Sequence, residues 1–275
     1  MPMSSEAVVD DVTPREVTKP YVQVSAVSKS YDAGANAVPV LQDVTLNIAA
    51  GEFVSVVGPS GCGKSTLLKC IAGLQPVTAG RIMVKDQHVV SPPDNMAIVF
   101  QRDVLLDWRT VLDNVLLIAE LRGLRRKDYE DRAVALLKSY GLEKFVHRYP
   151  WELSGGMRQR AAICRALLVD PELLLMDEPF GALDAMTRDD LNVELERLWH
   201  ATRKTLLFIT HGIDEAVYLA DRVVVMARNP GRIAEIVDID LPRPRALAVR
   251  QTAEFGKYTT HIRQLFASLG VVGSE

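Results

Sequence analysis

Long apolar runs are missing from this 275-residue chain; none approaches the roughly 18 residues that a membrane-crossing helix needs. The opening stretch MPMSSEAVVDDVTPREV has neither the basic start nor the apolar core of a secretory signal. Cysteine is scarce too: Cys62, Cys70 and Cys164 are odd in number and have no CxxC spacing, which argues against a disulfide framework or a zinc site. A reducing compartment is expected. No sign of charge dominates, with 32 Lys and Arg against 35 Asp and Glu. The net charge of −3 gives no global attraction to nucleic acid or acidic lipid, so no nucleic-acid partner is expected. Repeats at solenoid spacing are also lacking. What remains, 48% hydrophobic and 24% charged, is an ordinary soluble composition in which membranes would matter only through a partner.

The first 20 residues mix acids, Ser, Thr and Pro without periodicity, and a flexible tail is expected over 1–20. From Tyr21 the pattern turns to period two. Val22 and Val24, then Val44, Leu46 and Ile48, alternate with mostly polar residues around the loop DAGANAVP, which predicts antiparallel strands. FVSVV (53–57), LLLM (173–176) and TLLFIT (205–210) are largely apolar runs, which suit strands buried on both faces of a parallel sheet. Helical patterns lie between them, including LLKCIAGL closing near Gly73 and the stretch from Tyr129 to Tyr140. A helical middle is expected over about 102–165.

Between FVSVV and LLKCIAGL stands GPSGCGKST, residues 58–66. Gly58, Gly63, Lys64 and Ser65 satisfy G-x-x-x-x-G-K-[ST] between a strand and a helix, the context that this motif requires. Glycines let backbone N–H groups converge on phosphate oxygens, and the helix N-terminus adds partial positive charge. Lys64 can reach the β- and γ-phosphates and the Ser65 hydroxyl can ligate Mg²⁺. A second strand end carries LLLMDEPF, where Asp177 can hold Mg²⁺ and Glu178 can orient or deprotonate an attacking water. On its own this pair would be a solvated acidic turn; beside a phosphate loop it points to hydrolysis. TLLFITH ends a third strand in His211, where it can meet a γ-phosphate, although a lone histidine is more often a structural hydrogen-bonder.

GPSGCGKST, Gln101 in IVFQ, LSGGM at 153–157, LLLMDEPF, GALD at 181–184 and ITH at 209–211 occur in the order found in ABC transporter ATP-binding subunits, which this chain resembles over about residues 21–240. The resemblance implies an α/β fold: a P-loop NTPase cassette with a RecA-like parallel-sheet core, an N-terminal antiparallel β region and a helical subdomain. It implies ATP and Mg²⁺ as cofactors, held by the loop residues Gly58, Pro59, Ser60, Gly61, Cys62, Gly63, Lys64, Ser65 and Thr66. Tyr31 would stack under adenine, and Gln101 would sense Mg²⁺ and γ-phosphate. Ser154, Gly155 and Gly156 would contact the ATP of an opposite subunit in a homodimer, with Asp184 at the seam. Ser154 also has the residue type and position of a helix N-cap. Gly212 departs from the pattern, since many relatives carry Asp after the histidine.

Within the ABC importers, LLDWRTVLDNV (105–115) and VVVMARNPGRIAEIVDIDLPRPR (223–245) look like the nitrate/sulfonate/taurine group, with Asp107 where that group commonly has proline. Leu105, Leu106 and Trp108 would then line a groove for transmembrane permease subunits; helical-subdomain core would account for each of them equally well. The basic cluster LRGLRRK (121–127) reads as a solvated helix end. The cassette is expected to end near 245, followed over 246–275 by an amphipathic helix carrying Phe255, Tyr258, Ile262, Leu265, Phe266 and Leu269. The expected protein is an importer's motor ATPase at the cytoplasmic face of the cell membrane, indirectly served by a solute-binding protein. A small oxyanion is the implied solute. A pyrimidine precursor, a soluble non-transport ABC ATPase and a non-hydrolytic ATP sensor are the competing readings.

Overall fold

The computed structural model describes residues 19–31 and 37–270. The tail expected over 1–20 lies outside them except for Lys19 and Pro20, as does most of the DAGANAVP loop. Period two does give antiparallel strands. Strands β1 (Val22–Tyr31) and β2 (Val38–Ile48) pair antiparallel, and β1 pairs on its other side with β4 (Ala79–Val84), which pairs in turn with β5 (Gln87–His88). The alternation slips by one residue at Ala26 and again at Asp43, both in left-handed backbone. These are β-bulges, and they let Val24 and Val27, or Leu41 and Val44, face the same core despite their odd spacing.

The apolar runs form the second sheet. Strands β3 (Phe53–Val57), β6 (Met96–Val99), β7 (Leu173–Asp177), β8 (Thr205–Ile209) and β9 (Arg222–Ala227) are parallel in the order β9-β3-β8-β7-β6, and β10 (Arg232–Asp238) closes the β9 edge antiparallel. Every residue of β3 and β8 is buried, because both faces are covered. Side-chain alternation divides β3 between two cores: Val54 and Val56 pack with helix α1 (Lys64–Ile71) and the antiparallel sheet. Phe53 and Val57 face the opposite core, which takes in Trp199 and Tyr218 of the helices α5 (Ala185–Thr202) and α6 (Ile213–Leu219).

The middle of the chain is helical, with α2 (Val111–Leu121), α3 (Arg126–Ser139) and α4 (Gly155–Leu167). The basic cluster stands exposed at the end of α2, as expected, except for half-buried Arg126. Arg126 bonds Asp113 and Glu120, and Arg122 donates to the Met96 carbonyl. Helix α7 (Ala253–Ser268) is amphipathic and buries Phe255, Ile262 and Phe266 against the cassette core. The chain reaches it through Arg245, whose buried guanidinium donates to the Val217, Tyr218 and Ala220 carbonyls, so a cation stands at the C-terminus of α6.

Candidate functional site

Strands β3, β7 and β8 lie side by side in the parallel sheet, and their carboxyl ends deliver the phosphate loop, Asp177–Glu178 and Thr210–His211 to one edge. The loop is shaped by close approach. Gly63 sits at φ 94°, and a Cβ there would stand 2.6 Å from Leu41 Cδ2 and 3.1 Å from the Val40 carbonyl oxygen, so only glycine fits. The amides of Gly61, Gly63, Lys64, Ser65 and Thr66 meet no carbonyl among the described residues, which leaves a row of donors at the start of α1. The Cys62 amide is instead spent on the Pro59 carbonyl, 3.2 Å away. Its thiol is fully buried against Gly58, and burial pushes its pKa up. Cys62 therefore supports the loop from behind.

Lys64 is buried and curls over the loop, with Nζ donating to the Gly58 carbonyl at 2.9 Å and to the Pro59 carbonyl at 3.3 Å. A phosphate oxygen would offer that ammonium a charged acceptor in place of two neutral ones. Ser65 Oγ donates to Asp177 Oδ1 at 2.8 Å. A hydroxyl beside a carboxylate is a hard-oxygen pair suited to Mg²⁺. Among the described residues no cluster of three His, Cys, Asp or Glu stands at this pair, so further ligands would come from phosphate oxygens, water and the expected Gln101.

His211 Nε2 stands 2.7 Å from Glu178 Oε1, with the carboxylate side chain 15% exposed and the imidazole 47%. Glu178 adopts φ 50°, unusual for a side chain with a Cβ, while its amide donates to the Ile209 carbonyl at 2.9 Å. Backbone held in this region commonly marks a functional position. Tyr31, Ser60, Gly61, residues 63–66, Glu178 and His211 line one cavity of about 380 Å³. The Tyr31 ring is partly exposed, has Lys29 Nζ 5.1 Å from its centroid, and is tethered through its hydroxyl to Gln75 Oε1 at 2.5 Å.

Of the expected site residues, Gly58, Pro59, Cys62 and Asp177 stand behind the cavity lining, and two further groups lie apart from it. Gln101 opens onto a neighbouring cavity on the Glu178–His211 side. Ser154, Gly155 and Gly156 lie at the start of α4, where Ser154 Oγ accepts from the Met157 amide at 3.3 Å. They pack against the GALD segment and the start of α5: a Cβ on Gly155 would fall 3.5 Å from Leu183 Cδ2, and one on Gly156 2.5 Å from Thr187 Cγ2. Asp184 caps α5 through the Thr187 amide and hydroxyl, and these bonds hold its carboxyl below the usual range.

The docking groove is corrected at Leu105, a 9%-exposed member of the main core. Leu106 is half-buried and Trp108 is 75% exposed, so only these two remain available to a partner. Sequence reasoning also missed what holds the Gln101 loop. Arg158 pairs with Asp103 at 2.9 Å and Arg165 donates to the Asp103 and Val104 carbonyls, which straps the loop to the helix that Ser154 begins. The charged residues of α4 were the available signal.

The ABC transporter family profile matches residues 41–181. An uncharacterized ABC transporter ATP-binding protein of Methanocaldococcus jannaschii is 46% identical over 253 residues, covering 92% of this chain and 94% of its own length. An aliphatic sulfonates import ATP-binding protein of Bacillus cereus is 40% identical, covering 91% of this chain and 98% of its own, and a taurine import ATP-binding protein of Rhizobium johnstonii is 42% identical, covering 84% and 90%. The dimeric structure of a bacterial ABC transporter cassette superposes with a TM-score of 0.72 at 32% identity, covering 80% of this chain and all of that one. With the fold, the phosphate loop and these likenesses in agreement, the chain belongs to the ABC transporter family, as an ATP-binding subunit.

Proposed function

We propose that this subunit is the ATP-hydrolysing motor of a membrane importer for a small oxyanion of the sulfonate class. The observation that carries the motor reading is the meeting, in one cavity, of free loop amides, Lys64, and the paired carboxylates' neighbours Ser65 and His211. Tyr31 would stack on the adenine, residues 58–66 would cradle the phosphates, and Ser65 with Asp177 would hold Mg²⁺. Mg²⁺ would supply charge neutralisation at the phosphates. Glu178 would take a proton from the attacking water as its oxygen bonds the γ-phosphorus and the bond from that phosphorus to the β,γ-bridging oxygen breaks, releasing ADP and phosphate, and His211 would keep that carboxylate aimed.

Ser154 and its glycines stand outside the chain's own phosphate cavity, which supports a site completed by a second copy. Two such subunits would close around two ATP molecules and open after hydrolysis, driving permease subunits docked near Leu106 and Trp108 at the cytoplasmic face of the membrane. Gln101, on a loop strapped to α4, would report nucleotide state to that docking face, and the strap supports this reading. The import-named relatives support direction and solute class. The test is ATP turnover by the purified subunit reconstituted with its neighbouring membrane subunits and solute-binding protein. Stimulation by an alkanesulfonate or taurine is expected. Stimulation by a pyrimidine precursor alone would overturn the solute class, and no turnover in any assembly would overturn the motor.

A further inference from the structure

The turn that carries His211 is held by a relay of side-chain hydrogen bonds behind it. Helix α6 begins at Gly212, and a glycine has no side chain with which to cap it. Glu215 stands where a capping-box glutamate reaches back to the amide of the capping residue. Here it reaches Thr210 instead. Thr210 Oγ1 donates to Glu215 Oε2 and accepts from the Gly212 amide at 2.9 Å, so one hydroxyl stands between the carboxylate and the amide. Both residues are buried, Thr210 at 5% and Glu215 at 6% exposure. The path of the chain past His211 therefore depends on a hydroxyl two bonds deep in the protein's own network, not on a cap from residue 212.

A carboxyl withdrawn from water loses solvation that hydrogen bonds and nearby charges must replace. Burial pushes the Glu215 pKa up, and the Thr210 hydroxyl and the cations Arg188 and Arg250 offset that only in part. A leucine would fill similar space without this cost. What the relay supplies in return is a fixed backbone on both sides of His211. On one side the Thr210 amide donates to the Val56 carbonyl at 3.2 Å, and the Ile209 carbonyl accepts from the Glu178 amide at 2.9 Å, which ties the turn to β3 and to the end of β7. On the other side the relay holds Gly212. The imidazole between them is 47% exposed, so its reach to Glu178 Oε1 is set by the backbone that carries it more than by packing around the ring. We propose that Thr210 and Glu215 are positioning residues for ATP hydrolysis, acting through the turn that aims His211 at Glu178. The inference rests on the reading of Glu178 as proton acceptor and of His211 as the group that aims it.

Thr210→Val removes the hydroxyl at nearly constant shape and breaks both bonds of the relay. In the full-length chain assembled with its membrane subunits, it should lower kcat roughly 10- to 10²-fold while the Kd for Mg·ATP holds. Thr210→Ser, which restores the hydroxyl, should rescue kcat. The second readout is coupling to His211. Measured by single-turnover phosphate release, Thr210→Val should cost nothing further in a His211→Ala background, because the residue that the relay positions is already gone. A helix cap with no part in the reaction would instead lower stability, leave kcat unchanged and act equally in both backgrounds. If Thr210→Val does not fold, Glu215→Leu takes its place and should show the same loss, with Glu215→Gln, which keeps an acceptor for the Thr210 hydroxyl, as its rescue. Unchanged kcat in the folded variant, no rescue by the conservative one, or an equal loss with and without His211 overturns the proposal while wild-type turnover persists. Absence of wild-type turnover removes the motor reading and this inference with it.

Discussion

Glu178 and His211 leave the ends of different strands, β7 and β8, and meet with Oε1 2.7 Å from Nε2. The pair exists because β7 and β8 are neighbours in parallel register, with Asp177 opposite Ile209. If Glu178 is the proton acceptor, Glu178→Gln keeps the volume and removes the base. Turnover should fall by roughly 10²-fold or more while Mg·ATP affinity holds, and the variant should accumulate as an ATP-bound dimer. Near-normal single-turnover hydrolysis would take Glu178 out of that role.

The contact between Ser65 and Asp177 makes a separate prediction about the metal. Asp177→Asn keeps a hydrogen-bond acceptor for Ser65 but removes the charge that would attract the ion. The Mg²⁺ concentration needed for half-maximal turnover should rise at least about tenfold, with metal-free nucleotide binding little changed. An unchanged Mg²⁺ titration would show that the ion is held elsewhere.

Leu105 and Trp108, three residues apart, should fail in opposite ways. Leu105→Ala removes core and should lower stability by about 2–5 kcal/mol, visible in urea denaturation. Trp108→Ala should leave stability within about 0.5 kcal/mol and isolated ATPase intact, yet reduce solute uptake in reconstituted vesicles. Normal uptake by the tryptophan variant would move the permease contact away from this loop.

A composite site is tested by mixing lesions. Lys64→Ala and Ser154→Arg homodimers should each be inactive, the first lacking phosphate stabilisation and the second unable to close over the opposing phosphate. A purified heterodimer of the two, isolated with two tags, concentrates both lesions in one site and leaves the other intact. ATPase activity should reappear there. It should stay absent when the double variant is paired with wild-type chain, because each site then carries one lesion. Equal activity from the two heterodimers would mean that Ser154 does not act across the dimer.

Much of this arrangement was legible in the sequence, because its signals are local. Apolar runs such as FVSVV and TLLFIT mark strands covered on both faces, and glycine spacing marks a loop whose backbone must turn sharply and approach closely. Ser154 was likewise readable as a cap from residue type and position, and it caps α4; that Asp184, expected at the dimer seam, caps α5 was not read. Strand order was not readable, and strand order is what brings Ser65 within 2.8 Å of Asp177 across 112 positions of chain. Nor was Leu105 separable from Leu106, since a leucine's burial depends on which distant surfaces arrive to cover it. The same holds for the polar cavity beside His211. Arg188, Asn192, Glu215 and Arg250 look like ordinary helix and loop polar residues in sequence, and only the packing of α5, α6 and the C-terminal segment buries their polar atoms together. Backbone geometry and apolar periodicity are decided by near neighbours in sequence; the partner of a charged or polar side chain is decided by whatever the fold places next to it.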